Sequence, residues 1–130
     1  MQYLAIIYGD ESQYANATPE DIGAIFAAHG VFGEAAGAAG VFAGGEGLQG
    51  TSTATVVRVR DGERLLTDGP YAETKEQIGG YYVLDCKDLD DALNWAAQIP
   101  EAKTGSIEVR PIMDYAAMES GANAGQAAAS

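Results

Sequence analysis

A chain of 130 residues can close one domain around one core and is too short for two ordinary ones. Its formal charge of −12, from 7 basic and 19 acidic residues, argues against nucleic-acid phosphates or an anionic membrane surface as partners. One cysteine, Cys86, excludes an intrachain disulfide. One histidine, His29, leaves no His/Cys set of the zinc-ligand kind, so no cofactor or metal is expected, and a carboxylate site for a hard cation stays open.

The chain starts Met-Gln-Tyr-Leu-Ala-Ile-Ile-Tyr, with no basic segment before a short apolar run. Neither a signal peptide nor a bilayer-spanning stretch is read there, so the expectation is a cytoplasmic protein, for which the sequon Asn16-Ala17-Thr18 carries no meaning. Residues 3–8 are apolar at nearly every position, as in a central strand covered on both faces. A polar loop, Gly9-Asp10-Glu11-Ser12, ends it.

Thr18-Pro19-Glu20-Asp21 then reads as a helix start, with Thr18 as N-cap, Pro19 in the first helical position and acids in the first turn. The helix is expected to reach about Ala39, with Ile22, Ile25, Phe26, Phe32 and Ala36 on its apolar face. His29 falls within that stripe and is expected to point inward. Gly30, Gly33 and Gly37 each cost on the order of 1 kcal/mol against alanine in a helix interior, which calls for close packing or for space beside His29.

A second strand opens at Val41-Phe42-Ala43 and runs into a glycine-rich stretch. Gly45, Gly47 and Gly50 there satisfy the G-x-G-x-x-G spacing, but a strand follows where a dinucleotide fingerprint needs a helix, so that reading is rejected. Residues 53–60 and 63–67 flank Asp61-Gly62, a strong hairpin signal. Residues 79–85 form an aromatic and β-branched strand. Asp88 caps a second helix, with Leu89, Ala92, Leu93 and Ala96 on one face, Trp95 packing beside it and Pro100 closing it. Residues 105–112 give the last strand, and Pro111 points to an edge. From 113 to 130 the composition turns to Ala, Gly, Ser, Asn and Gln, which cannot offset its ordering entropy; this tail is expected to be flexible or loosely helical.

The expected architecture is α+β: a ferredoxin-like βαββαβ sheet with a β-hairpin insert over residues 1–112, two helices covering one face. Strands apolar on both sides call for a second cover, and a homodimer packed sheet against sheet supplies it.

The candidate site lies in residues 67–84. Asp68 sits on a corner stiffened by Gly69 and Pro70, and Glu73, Lys75 and Glu76 follow closely. A histidine and an aspartate in hydrogen-bond reach can act as base and orienter, so His29 and Asp68 are candidate catalytic residues; a structural imidazole and an aspartate capping its own turn are the competing readings. Lys75 can bind a carboxylate or enolate, or pair with Glu73 or Glu76 on the surface. Tyr8, Tyr81 and Tyr82 can donate hydrogen bonds into a cleft, or pack in the core or a dimer contact.

Asp68-Gly69-Pro70-Tyr71-Ala72-Glu73-Thr74-Lys75-Glu76-Gln77-Ile78-Gly79-Gly80-Tyr81-Tyr82 resembles the signature of the DGPF branch of the YCII-related family, with Tyr71 where that signature has Phe. Tyr8-Gly9-Asp10-Glu11, Gly45-Glu46-Gly47-Leu48 and Val109-Arg110-Pro111-Ile112 extend the resemblance over nearly all of residues 2–112. It implies a dimeric α/β barrel of ferredoxin-like subunits. It also implies a histidine–aspartate pair in a cleft, here His29 and Asp68, and for some relatives a role in aromatic-ring degradation. On this basis two functions are carried. One is a cofactor-free isomerase, lyase or hydrolase on a small cyclic or carbonyl-bearing metabolite, with Lys75, Glu73, Glu76, Tyr8 and Tyr81 contacting substrate. The other is a non-catalytic ligand-binding or regulatory module associated with a sigma-factor pathway, as the resemblance implies.

Overall fold

The computed structural model describes residues 1–119. Strand β1 (Gln2–Gly9) leads through a single 3₁₀ turn into helix α1 (Pro19–Ala38), then strands β2 (Phe42–Gly47), β3 (Thr55–Arg60), β4 (Glu63–Asp68) and β5 (Gln77–Asp85). Helix α2 (Leu89–Ala96), a 3₁₀ turn at Pro100–Ala102, strand β6 (Ser106–Pro111) and short helix α3 (Tyr115–Glu119) follow. Residues 120–130, the larger part of the expected tail, lie outside the described residues. No helix among the described residues is long and apolar enough to cross a membrane.

Four strands form one antiparallel sheet in the order β2-β5-β1-β6, and β3 and β4 pair with each other in a separate two-stranded sheet. The order and the two helical crossovers are compatible with the ferredoxin-like arrangement, with β3–β4 as the hairpin insert. β1 is central because its residues 3–8 are apolar at nearly every position; Tyr3, Ala5 and Ile7 are buried, while Leu4, Ile6 and Tyr8 on the alternate face are half-buried. β6, which ends in Pro111, is an edge strand.

The helices close on the Tyr3–Ala5–Ile7 face, where Phe32 and Ala36 of α1 and Ala92 and Ala96 of α2 meet Leu84 and Ile99. Leu84 and Ile99 are the largest fully buried side chains, and full burial of each stabilises by about 1.5–3 kcal/mol. Trp95 packs against this cluster edge-on to Phe32. The helix starts follow the sequence chemistry. Thr18 Oγ1 accepts from Asp21 N at 3.1 Å while Asp21 returns a carboxylate to Thr18 N, and Asp88 accepts from Asp91 N. At the hairpin tip Asp61 (φ 51°) and Gly62 (φ 78°) both take the left-handed region, as a two-residue turn matched to strand twist requires.

One expectation fails along α1. Phe32 and Ala36 are buried, but Ile22 and Phe26, predicted to face the core, are 38% and 71% exposed. The cause is the sheet below: Gly9, Gly45, Gly47, Gly79 and Gly80 offer bare backbone there, so the N-terminal half of α1 looks onto a space rather than onto side chains.

Candidate functional site

That space is a cavity of about 790 Å³, walled by Ile22, Ile25, Phe26 and His29 of α1, floored by the glycines and bounded by Tyr14, Leu48, Tyr81, Tyr82 and Glu101. The floor is made of glycine for a steric reason at two positions. A Cβ on Gly45 would stand 2.6 Å from Cδ1 of Tyr82, and one on Gly80 would stand 2.8 Å from the Glu46 carbonyl oxygen. Of the glycines that imitate a dinucleotide motif, Gly45 therefore serves close approach of β2 to β5 and of the Tyr82 ring to the sheet.

Three polar side chains from three distant elements meet in the wall. Tyr82 Oη lies 2.7 Å from His29 Nδ1, and His29 Nε2 lies 2.7 Å from Glu101 Oε2. Tyr82 is held by ring contacts to Phe32 and Phe42 at 4.8 and 6.0 Å between centroids. Glu101 is presented by the turn that Pro100 opens, and its carbonyl accepts from Gly105 N at 2.8 Å.

The charges in this cluster fix its proton directions. Burial pushes the Glu101 carboxyl up, but the hydrogen bond and charge of His29 outweigh that and leave it below its ordinary value of 4.5. Glu101 is thus an acceptor only, so His29 Nε2 carries the hydrogen between them. In the neutral ring Nδ1 is then the acceptor, and Tyr82 donates to it. Burial, and then the Glu101 charge, raise the Tyr82 hydroxyl above 10.0, which keeps it a donor. The second Glu101 oxygen, Oε1, is buried and has no hydrogen-bond partner among the described residues. The result is a directed chain, Tyr82 to His29 to Glu101, along the cavity wall.

Glu11 fastens the cavity mouth. Its carboxylate accepts from Thr51 N and Thr51 Oγ1, both at 2.8 Å, and its own backbone N–H donates to Gln77 Oε1 at 2.9 Å. One residue thus ties its own turn to the Thr51 turn and to the start of β5.

Of the residues singled out by sequence, His29 and Tyr82 line the cavity; Tyr81 borders it, but strand alternation sends its side chain to the opposite face of the sheet. Asp68 does not line it. It is exposed at the end of β4, paired across the hairpin with Thr55, and neither nitrogen of His29 bonds to it. The structure does not bring the expected His29–Asp68 pair together, because Asp68 belongs to the separate ribbon while both ring nitrogens are taken by Tyr82 and Glu101. Glu73 and Lys75 are exposed and outside the lining, and Lys75 forms no ion pair with Glu73 or Glu76 among the described residues. Lys75 acts instead on Asp10, whose carboxyl is held low first by the Ser12 hydroxyl and backbone and then by this ammonium. Glu76 accepts from Ser106 Oγ at 3.2 Å, and Tyr8 donates to Glu108 at 3.1 Å. Sequence reasoning missed Glu101 and the fastening role of Glu11. Glu101 lies 72 positions from His29 and carries no local motif; only the fold joins them.

No group of three or more His, Cys, Asp or Glu among the described residues stands close enough to hold a metal ion. Residues 1–116 match the family model described as YCII-related domain. An uncharacterised protein of Rhizobium meliloti (strain 1021) is 48% identical over 67 residues, 50% of this chain and 54% of that protein. The match therefore spans about half the length of that relative.

Proposed function

The chain belongs to the YCII-related family, and from that premise we propose that the cavity under α1 binds a small, largely apolar cyclic or carbonyl-bearing molecule and that Tyr82, His29 and Glu101 exchange a proton with it. The observation that carries this reading is the unbroken chain of two 2.7 Å hydrogen bonds ending in a phenol at the cavity. Tyr82 delivers a proton to an oxygen that gains charge, or takes one through His29 acting as base. Glu101 holds the tautomer and stabilises the imidazolium that forms. Chemistry of this kind serves isomerisation, elimination or hydrolysis, and such a positioned acid–base group contributes typically about 10²–10⁴-fold in rate. In this proposal Glu101 takes the carboxylate role that the sequence assigned to Asp68.

One observation favours a second reading, a binding or regulatory module without turnover: both imidazole nitrogens already have protein partners, so neither is free for a substrate. A library of small lactones, cyclic ketones and phenols, screened by thermal shift and then by NMR for conversion, separates the two. In the catalytic reading Tyr82→Phe loses about 100-fold or more in turnover while binding changes only a few-fold. Binding with no conversion in the native protein assigns the module reading. No binding at all rejects both.

The proposal includes a homodimer. Leu4, Ile6, Tyr81 and Val83 are half-buried, and strand alternation sets them on the sheet face away from the helices, where a second sheet would complete a dimeric α/β barrel.

A further inference from the structure

The cavity under α1 is acidic. Its lining holds Glu11, Glu46 and Glu101 and, among the described residues, no lysine or arginine. Glu46 contributes backbone alone: the register sets Gly45 opposite Tyr82 and Glu46 opposite Tyr81, so the Glu46 side chain leaves on the far face of the sheet. Glu11 and Glu101 are left, one at the mouth and one in the wall.

His29 does not reverse this sign. It is the lining group that can gain a positive charge, and its two nitrogens are held by Tyr82 and Glu101. When the ring is protonated, Glu101 matches its charge and the charge of Glu11 remains. The Glu101 charge also reaches along the wall: burial first, and then this carboxylate, push the Tyr14 and Tyr82 hydroxyls above 10.0. Outside the cavity, the formal charge of −12 adds a field that repels anions.

Two features suit a cation. The Glu11 oxygens accept one hydrogen bond each, from Thr51 N and Thr51 Oγ1, whereas a carboxylate offers about four acceptor sites. Phe26 and Tyr14 line the same cavity and are 71% and 39% exposed. Aromatic rings of this kind attract an ammonium group as well as apolar carbon.

We infer that the ligand of this cavity is an organic amine, its protonated nitrogen held by Glu11 at the mouth and its apolar ring lying under Ile25 and Phe26. The inference rests on the reading of the cavity as a ligand site and adds the sign of the ligand's charge. It closes the cavity to carboxylates, for which the sequence offers Lys75, because that ammonium stands outside the lining.

Three probes built on one skeleton test this: 2-phenylethylamine, 2-phenylethanol and 3-phenylpropionate. Each is titrated at about pH 7 into ¹⁵N-labelled protein, and the amides of Gly79, Gly80 and Tyr82 report occupancy of the cavity. The amine should bind about tenfold or more tighter than the carboxylate, with the alcohol between them. Glu11→Gln keeps the mouth fastened, since the amide oxygen still accepts from Thr51 N and the Thr51 hydroxyl can accept from the amide nitrogen. The amine-to-carboxylate ratio should fall about fivefold in this variant. Glu46→Gln removes the same charge from the opposite face, and the ratio should stay within about twofold. Native amide dispersion reports that both variants are folded. Binding of the alcohol with no gain for the amine overturns the inference and leaves the cavity reading standing, as does a ratio that falls equally in the two variants. Silence of those amides toward the amine at about 10 mM also overturns it, and silence toward all three probes overturns the cavity reading as well.

Discussion

A Cβ on Gly45 would stand 2.6 Å from Cδ1 of Tyr82: the ring that reaches His29 lies on bare backbone. Gly45→Ala should therefore push the ring off the sheet and cost about 1–3 kcal/mol by urea unfolding. Gly47→Ala is the control. A Cβ there meets nothing within 4 Å, and the change should stay within about 0.5 kcal/mol. Equal effects at the two positions would mean the close approach is not what holds Tyr82.

The proton direction in the Tyr82–His29–Glu101 chain is open to direct observation because the protein has one histidine. Long-range ¹H–¹⁵N correlation on the neutral ring should show the hydrogen on Nε2, facing Glu101. In Tyr82→Phe the Nδ1 acceptor loses its donor, and stability should fall by about 1 kcal/mol. A hydrogen found on Nδ1 of the neutral ring would reverse the chain.

Glu101 is held below its ordinary 4.5, so its carboxylate adds stability above that value and the contribution is lost as pH falls through the lowered one. Glu101→Gln should melt lower than the native protein at neutral pH and lose less on acidification. Glu108, held low chiefly by Arg110 and also by the Tyr8 hydroxyl, shares in the acid loss of both forms, so the difference between the two melting curves is the readout. Parallel curves from about pH 7 to 3 would show that Glu101 is not selectively ionised by the fold.

Asp68→Asn should leave the cavity untouched. Asp68 is exposed and off the lining, so stability should stay within about 0.5 kcal/mol and the affinity of any compound found for the native cavity should be unchanged. A large loss of affinity would bring the ribbon base into the site.

Glu11→Ala should free the mouth loop without disturbing the sheet. Thr51 N loses its acceptor, and exchange of that amide should quicken by about tenfold or more while the amides of β1 and β5 keep their protection. Uniform quickening would indicate global destabilisation instead of a local release.

The elements were legible because their signals are local. Thr18-Pro19 and Asp88 announced two helices, Asp61-Gly62 the hairpin, and the unbroken apolar run of residues 3–8 the central strand. The cavity was half legible. His29 on the apolar stripe of α1 pointed to it, yet the same stripe assigned Phe26 to the core, since helical period records which side chains share a face and not what lies opposite. The carboxylate partner was not legible. Asp68 stood in a conspicuous cluster and Glu101 in none, and contact between residues 72 positions apart depends on how α2 returns the chain to α1. Asp68, Glu73 and Lys75 are close in sequence for a reason of their own: they flank the foot of the ribbon.

The glycine floor separates two properties that most pockets couple. In the proposed reading the chemistry resides in the wall, in Tyr82, His29 and Glu101, whereas the room available is decided by atoms that are missing from the floor. At Gly9, Gly47 and Gly79 a methyl group would meet nothing within 4 Å. Alanine at those three positions is sterically free, so on the proposed reading the floor is where the room for a ligand can change while the Tyr82–His29–Glu101 chain stays intact.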